Sequence, residues 1–195
     1  KVAYTAMHGV GGATALRAFE AAGLSEPIVV DEQQQPDAMF PTVVFPNPEE
    51  PGAMDRVIEV ARISGAALAL ANDPDADRLG AMIPDDQGGW RYVNGNEIAA
   101  ISTCFKLEML ALNKKLSPNS IVVKTEVTTG MISRIAKHFN VQVLDDLLVG
   151  FKYVSDVLSP GRNAKQIHYT HSRLRQLMKT ATLDKTIMAC ILLVV

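Results

Sequence analysis

The stretch that decides the fold is the apolar run Ala66-Ala67-Leu68-Ala69-Leu70-Ala71 with its polar continuation Asn72-Asp73-Pro74-Asp75-Ala76-Asp77-Arg78. A continuous apolar run of this length predicts a β-strand that is buried on both faces. The apolar residues 79–83 predict a second strand. The acidic stretch is therefore predicted to be a loop that joins the ends of two strands.

Strand-like and helix-like segments alternate on both sides of this loop. The predicted strands are residues 2–7, 28–30, 121–124 and 141–144, and the predicted helices are residues 13–22, 54–63, 96–112 and 130–139. Repeated strand–helix–strand order predicts an α/β fold with helices on both faces of a sheet. In the helix 96–112 we expect a core position for Cys104 and burial of the apolar side chains Ile98, Ile101, Phe105, Leu107 and Leu112.

The composition of the chain is that of an ordinary globular protein. Of 195 residues, 48% are apolar and 21% are charged, which is enough apolar surface for a core. The net charge of -2 gives no global indication of nucleic-acid binding, and no apolar run near an end is long enough to cross a bilayer. Two cysteines predict no disulfide framework, so a cytoplasmic location is expected.

Charge is distributed unevenly along the chain. Residues 1–158 carry a net charge of -7, whereas residues 159–195 carry a net charge of +5. Such a change predicts a basic tail of different character from the rest of the chain.

The acidic loop is the strongest indication of chemistry in the sequence. The carboxylates of Asp73, Asp75 and Asp77 alternate over five positions, so they repel one another unless water or a cation offsets their charge. Hard oxygen ligands suit Mg²⁺, Ca²⁺ or Mn²⁺. The position after a buried strand, the rigid Pro74 and the adjacent Arg78 favour a metal site over a solvated acidic turn.

Alternating acids also occur in two other kinds of site. An EF-hand loop that starts at Asp73 needs Gly at its sixth position and an acid at its twelfth, where this sequence has Arg78 and Pro84. A phosphatase with an Asp nucleophile requires an Asp-x-Asp pair after a strand, which Asp73 with Asp75, or Asp75 with Asp77, provides. The Thr or Val usual two residues further on is absent, which makes this the weaker alternative.

Further motifs lie on either side of the acidic loop. His8-Gly9-Val10-Gly11-Gly12 follows a strand and opens a helix, so it predicts a tight turn whose N–H groups could also hold an anion. The segment at 124–129 could cap the following helix, and Lys152 follows an apolar strand and a short loop.

Five motifs occur in one order along the chain: His8-Gly9-Val10-Gly11, Asn72 to Arg78, Asn94-Gly95-Asn96-Glu97, Val123-Lys124-Thr125 and Gly150-Phe151-Lys152. In combination they resemble the α-D-phosphohexomutase superfamily, which includes phosphoglucomutases and phosphomannomutases. The segments Phe40-Pro41-Thr42-Val43 and Pro46-Asn47-Pro48-Glu49 look like the branch of phosphopentomutases and glucose-1,6-bisphosphate synthases.

The resemblance implies α/β/α sandwich domains with mixed sheets. Residues 1–88 would be the second family domain, which contains the metal loop, residues 89–158 would be part of the third, and residues 159–195 an atypical basic tail. The sequence has no Thr-Ala-Ser-His-Asn-Pro segment, which in the family contains the phosphoserine, and neither of the family's later Glu-Glu-Ser and Arg-Pro-Ser-Gly-Thr loops. A piece of a longer enzyme, inactive by itself, is therefore expected.

The resemblance also implies a mechanism and roles for individual residues. The family moves a phosphoryl group between two positions of a sugar phosphate through a phosphoserine and a bisphosphate intermediate. Asp73, Asp75 and Asp77 would hold Mg²⁺, Arg78 would steady the phosphoryl group, and Lys152 would lie near a hexose or pentose phosphate. A Mg²⁺-dependent phosphatase with an Asp nucleophile and a non-catalytic remnant that binds metal or sugar phosphate remain the alternatives.

Overall fold

The computed structural model of the chain describes residues 1–150 and 152–154. It divides into two compact units, the first covering Lys1–Glu97 and the second starting at Ile98. No helix in the described part of the chain is both long and apolar enough to cross a membrane. The predicted basic tail 159–195 lies outside the described residues.

The first unit is built on a five-stranded mixed sheet with the order β2-β1-β3-β4-β5. β1 pairs in parallel with β2 and β3, whereas β4 is antiparallel to both β3 and β5. The elements of this unit are β1 (Val2–Thr5), α1 (Gly12–Ala21), β2 (Ile28–Val29), a 3-10 helix (Asp31–Gln33), α2 (Asp55–Ser64), β3 (Leu68–Asn72), β4 (Leu79–Pro84) and β5 (Trp90–Val93).

The core of this unit lies where α2 packs on β1 and β3. Val57 and Ala61 on α2 are fully buried, as are Ala69 and Ala71 on β3. The helix ends at Gly65, which has a left-handed φ of 65° and lets the N–H of Ala66 reach the Ala61 carbonyl at 2.8 Å. The residues of β3 alternate between buried and partly buried, so the prediction of full burial on both faces was wrong.

Strand β5 was not predicted from the sequence. It forms a hairpin with β4, in which Tyr92 lies opposite Met82. The turn is closed by the Asp85 carboxylate, whose Oδ1 accepts the N–H groups of Gln87 at 2.8 Å and Gly89 at 2.7 Å. The strand has only four residues, so its alternation is too short to recognise without the partner strand.

In its described residues, the second unit contains a two-stranded parallel sheet. Its elements are α3 (Gly95–Leu112), which begins just before the division, β6 (Ile121–Thr125), α4 (Met131–His138) and β7 (Gln142–Leu147). Val123, Leu144 and Val154 form a small core, and Ile132 on α4 is also buried.

Helix α3 buries only part of the face that was predicted: Leu107 is buried as expected, and Ile98 is half-buried. The buried residues of this helix are Ala99, Thr103 and Leu107. The expected core positions Ile101, Phe105 and Leu112 are exposed, and Cys104 is exposed rather than buried. Apolar residues occur on several sides of this helix, so their spacing alone did not define the packed face.

The Asn94-Gly95-Asn96-Glu97 segment forms the N-terminal end of α3. Asn94 Oδ1 accepts the N–H of Glu97 at 3.0 Å, and Glu97 Oε2 accepts the N–H of Asn94 at the same distance. This reciprocal arrangement is a capping box. Arg91 Nη1 donates to both Glu97 oxygens, at 2.9 and 3.1 Å. The Asn94 N–H and then the Arg91 guanidinium lower the pKa of Glu97.

Candidate metal centre

The acidic loop lies between the ends of β3 and β4, as predicted. Asp73 is buried, whereas Asp75 and Asp77 are exposed. One carboxylate oxygen from each of the three residues lies within 4.8 Å of the other two. The loop therefore presents a cluster of carboxylate oxygens that is buried at Asp73 and exposed to solvent at Asp75 and Asp77.

Hydrogen bonds inside the loop fix its shape. Asp73 Oδ1 accepts the N–H of Arg78 at 3.0 Å, and the Asp73 carbonyl accepts the N–H of Ala76 at the same distance. Ala76 has a left-handed φ of 61°, which reverses the chain between Asp75 and Asp77. The alternating acids are thereby turned towards one another.

The base of the loop is tied to the sheet through Asn72. Asn72 Nδ2 donates to the Arg78 carbonyl at 2.7 Å, and Asn72 Oδ1 accepts the hydroxyl of Tyr4 at 3.1 Å. Tyr4 is almost fully buried, and burial raises its pKa to about 12. Tyr4 was not identified from the sequence, because a tyrosine within a short apolar strand looks like any core residue.

The His8-Gly9-Val10-Gly11 segment packs directly against the acidic loop. The N–H of Val10 donates to the Pro74 carbonyl at 2.8 Å. A Cβ on Gly9 would overlap the backbone of Pro74, and a Cβ on Gly11 would lie 2.9 Å from Ala76 Cβ. These glycines therefore allow two backbones to approach closely, as the predicted tight turn requires.

The electrostatics of the cluster favour a bound cation. Burial raises the pKa of the Asp73 carboxyl, the Arg78 N–H lowers it, and the charges of Asp77 and Asp75 raise it further. Arg78 Nε lies 3.8 Å from Asp73 Oδ2 and 3.9 Å from Asp77 Oδ1, with half of its side chain exposed. One guanidinium balances only part of three negative charges, so the site retains an excess of negative charge.

Lys152 belongs to the second unit. Its side chain is exposed, and Nζ lies 4.8 Å from the centre of the Tyr153 ring. That Lys152 lies near a hexose or pentose phosphate stays a prediction.

Lys124 is an unexpected buried charge in the second unit. Its Nζ donates to the carbonyls of Thr128 at 2.9 Å, Thr125 at 3.1 Å and Asp145 at 3.4 Å. The amine thus fastens the loop after β6 to β7. Just before α4, Thr129 Oγ1 accepts the N–H of Met131 at 3.2 Å, whereas Gly130, the N-cap residue of that helix, forms no side-chain cap.

Comparisons with known proteins show to which family the chain belongs. Residues 1–88 match the family model described as phosphoglucomutase/phosphomannomutase, alpha/beta/alpha domain II. Residues 94–164 match domain III of the same family, so this match extends beyond residue 158. The chain belongs to the phosphoglucomutase/phosphomannomutase family, and the resemblance inferred from its motifs is confirmed.

Two curated relatives show what share of a family member's length this chain covers. A Haemophilus influenzae protein named "Probable phosphomannomutase" is 42% identical over 79% of this chain. Human glucose 1,6-bisphosphate synthase is 33% identical over 95% of the chain, a match that enters the predicted tail. The chain spans 30% of the length of each.

A solved structure supports the fold class. A phosphoglucomutase/phosphomannomutase family protein from Burkholderia thailandensis superimposes with a TM-score of 0.61 at 24% identity. The match covers 80% of this chain and 31% of that structure. The predicted mixed α/β architecture is confirmed.

Proposed function

We propose that the chain is part of a sugar-phosphate mutase, an intramolecular phosphotransferase that uses Mg²⁺. The observation that supports this most strongly is the convergence of Asp73, Asp75 and Asp77 within 4.8 Å on a loop of the family's second domain. Phosphoryl transfer depends mainly on alignment and charge neutralisation, which such a loop is suited to provide.

The three carboxylates fit a small divalent cation. Mg²⁺ binds oxygens at 2.0–2.1 Å, so two ligands on opposite sides of it are about 4.2 Å apart. The oxygens of the loop lie within 4.8 Å, and Asp75 and Asp77 are exposed, so small side-chain rotations bring them into range. A bound Mg²⁺ would neutralise charge on the oxygens of a phosphoryl group.

Arg78 and Lys152 are proposed to contact the anionic parts of the substrate. The Arg78 guanidinium lies beside Asp73 and Asp77 and is half exposed, so it can bind an arriving phosphoryl group with two parallel N–H donors. Lys152 provides an exposed positive charge. The nucleophile is proposed to be a phosphoserine outside these 195 residues.

The substrate is proposed to be a hexose or pentose phosphate, with a sugar bisphosphate as the intermediate. The names of the relatives refer to mannose, glucose and pentose, which supports a sugar phosphate as the substrate class without distinguishing between the sugars.

A domain exchange tests the proposal. Residues 1–88 would replace the matching domain of the Haemophilus influenzae relative, and the chimera would be checked for folding by circular dichroism. We expect Mg²⁺-dependent interconversion of 1- and 6-phosphosugars, which is lost in Asp75→Ala and retained in Asp86→Ala, a change at an exposed acid in the β4–β5 turn. A folded chimera without turnover would contradict the proposal.

A further inference from the structure

A buried polar network lies behind the His8-Gly9-Val10-Gly11 segment. The Thr5 hydroxyl donates to Gln33 Oε1 at 2.6 Å, and Gln33 Nε2 donates to Thr42 Oγ1 at 2.8 Å. The same Thr42 oxygen lies 2.8 Å from His8 Nε2. Gln33 is fully buried and His8 is 3% exposed, whereas Thr42 is half-buried, so the network runs from the core towards the surface.

The network holds a strained piece of backbone. Met7 and His8 both have left-handed φ angles, 47° and 60°, which non-glycine residues adopt only when their surroundings require it. Met7 N–H donates to Thr5 Oγ1 at 3.0 Å, and His8 N–H donates to the Gln33 carbonyl at 2.9 Å. Strand β1, the 3-10 helix and the loop at Thr42 thus fix this conformation together.

The strained residues lead directly to the metal loop. Gly9 packs against Pro74, and the Val10 N–H binds the Pro74 carbonyl at 2.8 Å. Pro74 separates Asp73 from Asp75, so a displacement of Pro74 changes the distance between these two carboxylates.

We propose that Gln33 and Thr42 are positioning residues for the metal loop, acting through His8 and Val10 on Pro74. Neither side chain belongs to the acidic cluster. The effect on metal affinity rests on the proposed function, whereas the effect on the shape of the loop does not. Supporting groups of this kind typically change metal affinity tenfold or more when they are removed.

Three variants of the full chain separate positioning from general stability. Thr42→Val keeps the side-chain shape and leaves both Gln33 Nε2 and His8 Nε2 without their shared partner. Thr42→Ser restores the hydroxyl. Thr103→Val removes a different buried hydroxyl, which in α3 donates to the Ala99 carbonyl. The readouts are amide hydrogen exchange of individual residues and Mn²⁺ affinity from the paramagnetic signal of the free ion.

We expect Thr42→Val to lose protection at the Val10 and Arg78 N–H groups, with protection of the β3 amides unchanged. Its Mn²⁺ affinity should fall about tenfold, while Thr42→Ser and Thr103→Val stay at the unsubstituted values. Equal Val10 exchange in Thr42→Val and Thr42→Ser would overturn the proposal, as would equal loss of protection in β3. Absence of Mn²⁺ binding by the unsubstituted chain, with Val10 protection still lost in Thr42→Val, would contradict the metal site and support the positioning role.

Discussion

Gly9 lies against Pro74 so closely that a side-chain carbon on Gly9 would overlap the Pro74 backbone. This contact joins two motifs that are more than sixty residues apart in the sequence. The glycine segment of the family resemblance therefore has a physical role here, because it lets the first βα turn support the acidic loop.

Replacing Gly9 with Ala should displace Pro74 and weaken metal binding. Overpacking of this kind costs about 1–3 kcal/mol of unfolding free energy. The matched control is Gly130→Ala, because a Cβ there meets no atom within 4 Å. Urea unfolding and Mn²⁺ titration of both variants provide the measurement. Unchanged stability and affinity in Gly9→Ala would show that the close approach is not required.

Asp73 gives the metal-free chain a characteristic pH dependence. Its folded pKa is raised above the ordinary value of 3.8, chiefly by burial, so the neutral carboxyl is favoured in the folded state. The contribution of Asp73 to the free energy of unfolding is therefore fully present below pH 3.8. It is lost as the pH rises through the folded pKa of Asp73. Asp73→Asn keeps an oxygen for the Arg78 N–H, so it should be more stable than the unsubstituted chain at pH 7 in EDTA.

The check on this prediction is urea unfolding of both proteins from pH 3 to pH 7. The stability difference should grow with pH and shrink or reverse when Mg²⁺ is added, since the cation stabilises the ionised carboxylate. A constant difference across the range would mean that burial of Asp73 has no electrostatic cost.

Much of the fold and the acidic cluster could be predicted because the signals are local. The apolar residues before Asn72 and the alternating acids after it define a strand and its loop within thirteen positions. The end of helix α2 is also marked locally, since the residue that caps it, Gly65, has a φ of 65° that suits a glycine.

What supports the cluster could not be predicted, because it depends on distant partners. The hydrogen bond between Tyr4 and Asn72 links residues 68 positions apart in the sequence. Gln33 is a polar residue, and none of the residues next to it in the sequence indicates that it is buried. Strand β5 needs β4 to be recognised, and the packed face of α3 depends on which of several apolar sides meets the core.

The 195-residue chain alone should not interconvert 1- and 6-phosphosugars or 1- and 5-phosphopentoses. Its sequence contains no Thr-Ala-Ser-His-Asn-Pro segment, so the phosphoserine of the proposed mechanism would lie outside these residues. A coupled assay with Mg²⁺ and added sugar bisphosphate is the measurement. Turnover that scales with the protein and disappears in Asp75→Ala would place a nucleophile within the chain and favour the phosphatase class.

The central claim is that Asp73, Asp75 and Asp77 together bind a divalent cation, and calorimetric titration of the full chain with Mg²⁺ tests it most directly. We expect one site per chain, with affinity at least about tenfold weaker in Asp75→Asn. Asp86→Asn, which removes an exposed charge from the β4–β5 turn, should bind as the unsubstituted chain does. No binding by the unsubstituted chain, or equal affinity in Asp75→Asn, would contradict the account.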